Sequence, residues 1–361
     1  MDALDFALRE ADYRPAPPPP EVYEGFRIGS IGCGGIARGA HLPAYRRFGY
    51  RVTACCDVIA ENACQAAQDF GIPFWTTDVD ALLARPDVDV VDLAVHARQR
   101  RPLIEKIAGA GKPVLSQKPF ALDMEDARAM VEACRRAGVP LMVNQQARWA
   151  PAHAALKRVL EAGVLGHVYS ILHVQRSWQD QPGSWYVEMP NFNIVDHGIH
   201  WIDLSRYFTG LTPRVVQAVT TLVPGQAAVS PMIYTIALGY APEERVMSTL
   251  HFNNIIAAGD AHSGTWYADG TEGSAIVAGD ELTLFSRHRP GRRRSFRLAG
   301  SWFPDAFGAS MGAFMRTLAA GHEPPTSGAD NLQSIRIAYA AVESAETGRS
   351  VEIGAQPATQ R

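Results

Sequence analysis

The sequence predicts an α/β protein in two parts: a domain with a parallel sheet, followed by an α/β domain with a large open mixed or antiparallel sheet. Up to about residue 146, short apolar runs alternate with helical segments. Beyond Pro151, longer runs alternate apolar with polar residues and are joined by short connections. Strands separated by helices form βαβ units, whereas short connections join antiparallel strands.

Five apolar runs predict the strands of the first sheet, and their nearly continuous hydrophobicity is typical of a sheet that is covered on both faces. They are RIGSIG at 27–32, RVTACCD at 51–57, VDVVDLAV at 88–95, PVLSQ at 113–117 and PLMVN at 140–144. Of the segments between them, ENACQAAQDFG and MEDARAMVEACRRAG read most clearly as helices, because both end on the glycine that often terminates a helix.

The second part begins with a predicted helix, APAHAALKRVLEAG, and ends with two more, DAFGASMGAFMRTLAAG and ADNLQSIRIAYAAVESAETG. Between them lie the alternating runs HVYSILHVQRSW, VVQAVTTLV, MIYTIALGY, RVMSTLHFN, GTWYAD, SAIVAG and LTLFSR. We therefore expect a proline-rich arm at residues 1–24, a first domain at 25–147 and a second at 148–361, whose C-terminal helix can pack back on the first. The arm is either a disordered tail or a stiff strap.

Composition excludes several classes of function. The 361 residues carry a net charge of −3 and are 47% hydrophobic, which favours neither nucleic acid nor a membrane as partner. The N-terminus lacks the apolar segment of a secretory signal, and the five cysteines show no metal-ligand spacing, so we expect a reduced, cytoplasmic protein. The basic run SRHRPGRRRSFR predicts a solvated hairpin; the alternative is a contact with an acidic ligand or nucleic acid.

The segment IGCGGIARGA joins the first predicted strand to a helix, the context in which G-x-G-x-x-A binds a dinucleotide. Gly32 permits the tight turn, Gly34 the approach of a diphosphate, and Ala37 close packing of the helix on the strand. Asp57 ends the second strand, where a carboxylate binds ribose hydroxyls and repels a 2′-phosphate, so NAD is favoured over NADP. The predicted cofactor residues are Gly32, Gly34, Gly35, Ile36, Ala37, Asp57, Gln117 and Lys118.

Two further segments supply candidate catalytic groups. Lys118 follows the run PVLSQ, and ligands of parallel sheets bind beyond the strand C-termini. In NFNIVDHGIHWIDLSRYF, a helix from Val195 onward would place Asp196, His200 and Asp203 on one face, where a carboxylate can orient an imidazole for proton transfer. The alternative is a metal site, which would need a third strong ligand. We expect no bound metal.

Taken in order, these motifs resemble the Gfo/Idh/MocA family of NAD(P)-dependent sugar and polyol oxidoreductases. The resemblance runs from about residue 25 to 353 and includes the glycine turn, AGKPVLSQKP, NQQARWAP, DHGIHWIDL and SGADNLQSIRIAYAAVESAETGRSV. It implies a Rossmann domain followed by an α/β domain whose open sheet usually forms a homodimer or homotetramer.

The resemblance also implies site residues. The family's E-K-P lysine corresponds to Lys118, and its D-x-x-x-H pair corresponds to Asp196 and His200. The family glutamate is Gln117 here, which removes a charge near Lys118 and favours His200 as the general base. The family glycines before the aspartate are replaced by the segment 191–193, which narrows the pocket.

Five residues are weaker candidates for substrate contact: Arg148, Trp149, Asn193, His197 and Trp178. The function implied by the resemblance is reversible NAD-dependent oxidation of a secondary hydroxyl on a sugar, polyol, inositol or related compound. Two alternatives stay open from the same family: an NAD-dependent glycosidase with a transient redox step, and a non-catalytic sensor of NAD or sugar. A proton relay of Lys118, Asp196 and His200 is unnecessary in a sensor.

Overall fold

The computed structural model describes residues 2–258 and 261–354, and these form two compact units. The parallel-sheet unit comprises Arg14–Ala150 and Gly300–Leu332. Of the described residues, the mixed-sheet unit comprises 2–13, 151–258, 261–299 and 333–354. Among the described residues, no helix combines the length and apolarity needed to cross a bilayer.

The parallel-sheet unit is built on six parallel strands in the order β3-β2-β1-β4-β5-β6. This is the strand order of a doubly wound dinucleotide-binding sheet, as the alternation of runs and helices predicted. The strands are β1 (Arg27–Ile31), β2 (Arg51–Cys56), β3 (Phe74–Thr76), β4 (Val90–Leu93), β5 (Val114–Gln117) and β6 (Leu141–Asn144). Of these six, β3 was not predicted, because three residues are too few to show a pattern.

The helices of this unit include the two that were predicted most clearly. The helices of the parallel-sheet unit are α1 (Pro20–Tyr23), α2 (Leu42–Phe48), α3 (Ala60–Phe70), α4 (Val79–Leu83), α5 (Arg100–Gly109) and α6 (Met124–Ala137), with α9 (Phe307–Ala320) from the later part of the chain. α3 and α6 end on the left-handed glycines Gly71 and Gly138. Phe307 and Phe314 of α9 are fully buried in the core cluster that also contains Ile28 of β1, each contributing about 1.5–3 kcal/mol through burial.

The mixed-sheet unit contains nine strands in the order β14-β13-β12-β11-β7-β10-β9-β8-β15. Pairing between β10 and β7 is parallel, and every other pairing in the sheet is antiparallel. The strands are β7 (Val168–Arg176), β8 (Val215–Thr221), β9 (Ile233–Gly239), β10 (Met247–Asn253), β11 (Ser263–Gly270), β12 (Gly273–Ala278), β13 (Glu281–Ser286), β14 (Arg293–Arg297) and β15 (Val351–Glu352). The predicted mixed sheet is confirmed.

Alternate residues of these strands are buried on one face, as in β9 and β10. The unit also contains α7 (Pro151–Glu161) and α8 (Ile199–Thr209), while α10 (Gly328–Thr347) begins in the parallel-sheet unit. The basic run forms the antiparallel hairpin β13–β14, as predicted. Its Arg289 is not simply solvated, because its guanidinium pairs with the carboxylates of Asp2 (2.7 Å) and Asp5 (2.8 Å).

Candidate active site

The three glycines of the turn after β1 differ in the space around them. Gly32 has φ +93°, and a Cβ atom on it would lie 2.8 Å from the backbone carbon and oxygen of Ala94. At Gly34 and Gly35, by contrast, a Cβ would meet no described heavy atom within 4 Å. Packing of the chain on itself therefore demands glycine at position 32 but not at 34 or 35, where the space is available to a ligand.

The helix that follows this turn presents its N-terminus to the same space. The N–H of Arg38 donates to the carbonyl of Gly34 (3.0 Å), so the preceding N–H groups are those of a helix N-terminus. Ala37 is fully buried and Ile36 is 37% exposed. Backbone N–H groups and the positive end of the helix dipole both favour a phosphate there, so the residues present suit a dinucleotide.

Asp57 ties the end of β2 to the glycine turn. Its carboxylate accepts the N–H of Cys33 (2.7 Å) and that of Ile59 (2.9 Å). Carboxylate oxygens have about four acceptor positions, so Asp57 retains the capacity to accept from ribose hydroxyls. The exposed residues that follow, Val58 and Ile59, carry no charge that would neutralise a 2′-phosphate.

Lys118 stands directly after the last residue of β5, at the C-terminal edge of the parallel sheet. Its backbone is held from both sides. The N–H of Lys118 donates to Oε1 of Gln117 (2.7 Å), and the guanidinium of buried Arg100 donates to the Lys118 carbonyl (3.3 Å). Arg100 also donates to the carbonyls of Val95 (2.8 Å) and of Pro119, which follows a cis peptide bond. Arg100 was not identified from the sequence, because its function depends on loops that are distant along the chain.

A buried hydrogen-bonded chain lies behind Gln117. Nε2 of Gln117 is 3.2 Å from Nε2 of His41, and Nδ1 of His41 is 2.9 Å from Oδ2 of Asp92. His41 and Asp92 are fully buried, and Gln117 is 5% exposed. His41 ends the π-helical segment Ala37–His41 of the helix after the glycine turn, here called the glycine-turn helix. The sequence placed His41 near the cofactor without selecting it, and Asp92 was not considered, since nothing in their spacing shows that β4 and this helix bring them together.

The end of β6 adds a group of buried amides next to Gln117. Asn144 pairs in register with Gln117, and the side chains of Asn144, Gln145 and Gln146 are at most 1% exposed. Within the described part of the chain, no hydrogen-bond partner exists for either side-chain polar atom of Asn144 and Gln145, or for Oε1 of Gln146. Amides both donate and accept, so this strand end is suited to polar ligands or water.

The two substrate candidates that follow these amides make local contacts in the same unit. Arg148 donates to the carbonyl of Pro325 (3.1 Å) and to the carboxylate of Asp330 (3.3 Å). Trp149 is partly buried and packs against the hydrophobic core of the unit. These contacts fix the loop after β6.

In the mixed-sheet unit, Asp196 and His200 lie on consecutive helical segments and are 8% and 6% exposed. Asp196 belongs to a wide π-helical turn, Asn193–His197, which the N–H of Gly198 closes by donating to the carbonyl of Asn193 (2.9 Å). His200 is in the first turn of α8. The uniform α-helical spacing expected from Val195 onward is thus modified, because a π turn contains one more residue.

Asp203, expected on the same helix face, has a partner on α10. Its carboxylate accepts from the hydroxyl of Ser334 (3.1 Å), and Ser334 in turn accepts from Arg206 (3.0 Å). Asp203 is 1% exposed. It therefore links α8 to α10.

Asn193 and His197 are connected through Asn254, a residue that the sequence did not single out. The amide nitrogen of Asn254 donates to Oδ1 of Asn193 (2.5 Å) and to Nδ1 of His197 (2.8 Å), while its oxygen accepts from Ser177 (2.6 Å). Trp178, the fifth substrate candidate, is 36% exposed and bridges to Ile255. The network fixes the wide turn against the end of β10.

His173 on β7 is enclosed by indole rings. Its ring centroid is 4.4 Å from that of Trp201 and 4.2 Å from that of Trp266, and its Nδ1 lies 3.0 Å from the carbonyl of Thr265. Burial, with the positive charge that nearby histidines can carry, holds the pKa of His173 well below its usual value. His173 is therefore a neutral core residue.

The thiols of Cys56 and Cys134 do not have the environment of a catalytic nucleophile. Burial raises the pKa of both Cys56 and Cys134 to about 11, whereas a reactive thiol needs a lowered pKa. Among the residues that the structure describes, no group of three or more histidine, cysteine, aspartate or glutamate side chains is arranged to hold a metal ion.

The strand order defines a doubly wound sheet of the Rossmann class. Residues 26–145 match a family described as an oxidoreductase family with an NAD-binding Rossmann fold, and residues 153–285 match the GFO/IDH/MocA C-terminal domain. The chain belongs to this Gfo/Idh/MocA family and is an NAD-dependent oxidoreductase.

Individual relatives span nearly the whole chain. The D-apiose dehydrogenase of Paraburkholderia graminis is 34% identical over 342 residues, covering 91% of this chain and 90% of its own length. The 1,5-anhydro-D-fructose reductase of Ensifer adhaerens is 28% identical, covering 91% and 98%. An Agrobacterium radiobacter oxidoreductase, solved with NAD+, L-tartaric acid and magnesium, superposes with a TM-score of 0.82 at 29% identity and covers 91% and 98%.

Proposed function

We propose that this oxidoreductase transfers a hydride between a secondary hydroxyl of a sugar, polyol or inositol and the nicotinamide of NAD. The observation that carries the proposal is the 34% identity to a D-apiose dehydrogenase across nine-tenths of both chains. The open space at Gly34 beside a helix N-terminus supports the cofactor part. Asp57 supports NAD over NADP, because its carboxylate would repel a 2′-phosphate.

The buried amides support a neutral, polyhydroxylated substrate. Asn144, Gln145 and Gln146 lie at the end of β6, and Asn193 with Asn254 lie in the mixed-sheet unit. Amide groups donate and accept as hydroxyl groups do, and they carry no charge that would attract a substrate carboxylate. Lys118 is the cation of the proposed site, and we assign it to the reacting oxygen. Trp178 adds a partly exposed aromatic face of the kind that packs on sugar rings.

We assign the chemistry to Lys118, Asp196 and His200. His200 accepts the hydroxyl proton, and Asp196, four residues before it, maintains the orientation of the imidazole. Lys118 stabilises the negative charge that develops on the substrate oxygen. NAD, when bound, supplies the ring carbon that accepts the hydride. Arg100 and Gln117 hold the Lys118 backbone in place.

The test combines a substrate panel with one variant. Sugars, inositols, sugar acids and aryl glycosides are incubated with NAD+, and both NADH absorbance and released aglycone are recorded. With the best substrate, His200→Ala should lower kcat by about 10²–10⁴-fold, the contribution of a general base, and leave NAD binding unchanged. His167→Ala removes an exposed imidazole and serves as the matched control.

The outcomes are distinct. NADH formation that His200→Ala abolishes and His167→Ala preserves supports the proposal. Undiminished turnover of His200→Ala removes His200 from the mechanism. Release of aglycone without net NADH replaces the dehydrogenase with a redox-assisted glycosidase, and no reaction with any substrate contradicts catalysis on sugars.

We further propose that the chain forms a homodimer or homotetramer through the open face of the nine-stranded sheet. Val219 of β8 and Met247 of β10 are 61% and 50% exposed, although both are apolar. Such a patch on a sheet face typically marks an interface. Light scattering should give a multiple of the 39.3 kDa chain mass, and Val219→Asp with Met247→Asp should yield the monomer. A wild-type monomer would contradict the proposal.

A cytoplasmic location is proposed from the cysteines. Five thiols are free, namely Cys33, Cys55, Cys56, Cys64 and Cys134. Unpaired thiols persist where the cell keeps them reduced. Fractionation of the source cells should recover the chain with cytoplasmic markers, and recovery with secreted protein would contradict the proposal.

A further inference from the structure

Three buried side chains of the parallel-sheet unit form a continuous hydrogen-bonded chain that ends at Lys118. From the interior outward it comprises Asp92 of β4, His41 of the glycine-turn helix and Gln117 of β5. Gln117 then accepts the backbone N–H of Lys118 (2.7 Å). The chain thus connects a buried carboxylate to the residue proposed to stabilise the substrate oxygen.

Only one arrangement of hydrogens satisfies all these contacts. Oε1 of Gln117 accepts from Lys118, so its Nε2 must donate to Nε2 of His41. That ring nitrogen must then carry a lone pair, and Nδ1 carries the hydrogen that His41 donates to Asp92. An imidazolium would set two donors face to face at Gln117, and a flipped amide would set two donors face to face at Lys118.

The other groups that face His41 agree with a neutral ring. Oη of Tyr45 is 3.4 Å from Nδ1, and the ring of Phe307 lies 4.9 Å away, centroid to centroid. Burial and the charge of Asp92 raise the pKa of Tyr45 well above its usual value, so Tyr45 is present as the phenol. Among the described contacts of the ring, Asp92 therefore supplies the charge, and Tyr45, Phe307 and Gln117 add none.

We propose that Asp92, His41 and Gln117 act as a positioning chain that keeps His41 as the neutral Nδ1–H tautomer and aims the Gln117 carbonyl at the Lys118 N–H. Arg100 holds the carbonyl of Lys118 at the same time, so both polar backbone groups of Lys118 are fixed. The effect on catalysis rests on the proposed function of Lys118, whereas the proton arrangement does not.

This arrangement explains why position 117 carries an amide. With glutamate at 117, the imidazole would lie between two carboxylates, and a neutral ring can donate to only one of them. His41 would take up a proton, and the buried chain would keep a net charge of −1 with three ionised groups instead of one. The double variant Asp92→Asn with Gln117→Glu moves the carboxylate from one side of the ring to the other without adding a second one. His41 should then stay neutral, with its hydrogen on Nε2 instead of Nδ1.

Nitrogen-15 NMR of the histidine-labelled, cofactor-free protein tests the proton arrangement directly. The ring nitrogen signals that disappear in His41→Gln are assigned to His41. At neutral pH, wild-type His41 should give a pyrrole-type signal from Nδ1 and a pyridine-type signal from Nε2, the pattern of a neutral ring with its hydrogen on Nδ1. Gln117→Glu should show an imidazolium, and the double variant should show a neutral ring with its hydrogen on Nε2. A wild-type His41 that carries its hydrogen on Nε2, or carries hydrogens on both ring nitrogens, overturns the proposal.

Kinetics test the positioning of Lys118. Gln117→Met removes the acceptor of the Lys118 N–H and should lower kcat roughly threefold to tenfold, the equivalent of one hydrogen bond, with KM for NAD nearly unchanged. Gln68→Glu, on the exposed face of α3, is the control for Gln117→Glu and should leave turnover and the His41 signals unchanged. Full kcat in Gln117→Met overturns the positioning. Absence of turnover in the wild type overturns the proposed function instead, and the NMR result is unaffected by it.

Discussion

Replacing Gly32 or Gly34 of the first turn by alanine should have opposite effects on stability and on cofactor binding, although the two residues are close in sequence. Gly32→Ala adds a Cβ that would lie 2.8 Å from the backbone of Ala94, at a residue with φ +93°. Left-handed backbone costs a non-glycine residue about 1–2 kcal/mol, and overpacking adds about 1–3 kcal/mol. The contacted atoms of Ala94 belong to its backbone and cannot move aside like a flexible side chain, so we expect a total of about 2–5 kcal/mol.

Gly34→Ala adds the same methyl group where no described atom lies within 4 Å. The cofactor-free protein should therefore keep its melting temperature. NAD should bind at least about tenfold more weakly, or about 1.4 kcal/mol, because the methyl group enters the space proposed for the diphosphate.

Thermal unfolding with and without NAD measures both effects. For a unit of this size, 1 kcal/mol corresponds to roughly 2–4 °C, so Gly32→Ala should melt roughly 4–20 °C below the wild type without cofactor. NAD should raise the melting temperature of the wild type and raise that of Gly34→Ala much less. Equal destabilisation of the two cofactor-free variants, or wild-type NAD affinity in Gly34→Ala, would refute the reasoning.

Three further substitutions test other parts of the site. Asp57→Asn should lower the preference of kcat/KM for NAD+ over NADP+ by about tenfold or more, the value of one charge-assisted hydrogen bond; an unchanged ratio contradicts the function of Asp57. The folded state holds the pKa of His173 below its unfolded value, so protons bind the unfolded chain preferentially and stability falls as the pH drops through about 6.5. His173→Phe should remove this pH-dependent contribution to the free energy of unfolding. In urea titrations, the wild type should therefore lose about 1.4 kcal/mol more stability than the variant between about pH 7.5 and 5.5. Equal losses of stability in the two proteins would show that His173 is protonated in the folded state. Asn254→Ala should lower the free energy of unfolding by about 1–3 kcal/mol, because it removes the acceptor of the buried Ser177 hydroxyl and the donor to Nδ1 of His197. An unchanged urea midpoint contradicts the network.

Most of the architecture could be predicted because its signals are local. Apolar runs and helix-ending glycines identified five of the six parallel strands and the helices α3 and α6. The alternating runs in the later half identified the strands from β7 to β13. The short strand β3 and the wide turn before α8 left no such signal, since three residues show no period and a π turn differs from an α turn by one residue.

The candidate site was predictable only where its residues belong to a motif. The glycine turn, Asp57 and Lys118 stand at strand ends that a pattern identifies. Arg100, His41, Asp92 and Asn254 do not, since each interacts with residues far away in sequence. A lone buried histidine or arginine looks in sequence like any core or surface residue, and only the fold shows its partners.

The first residues of the chain are a structural part of the mixed-sheet unit, not an appendage. Ala3, Phe6 and Tyr13 are buried, and the carboxylates of Asp2 and Asp5 neutralise Arg289 at the tip of the β13–β14 hairpin. A shortened chain that starts at the first strand would lose this cover, uncovering apolar sheet surface next to an unopposed cluster of arginines. A truncated form for crystallisation should therefore keep these first residues, and a purification tag should be attached at another position.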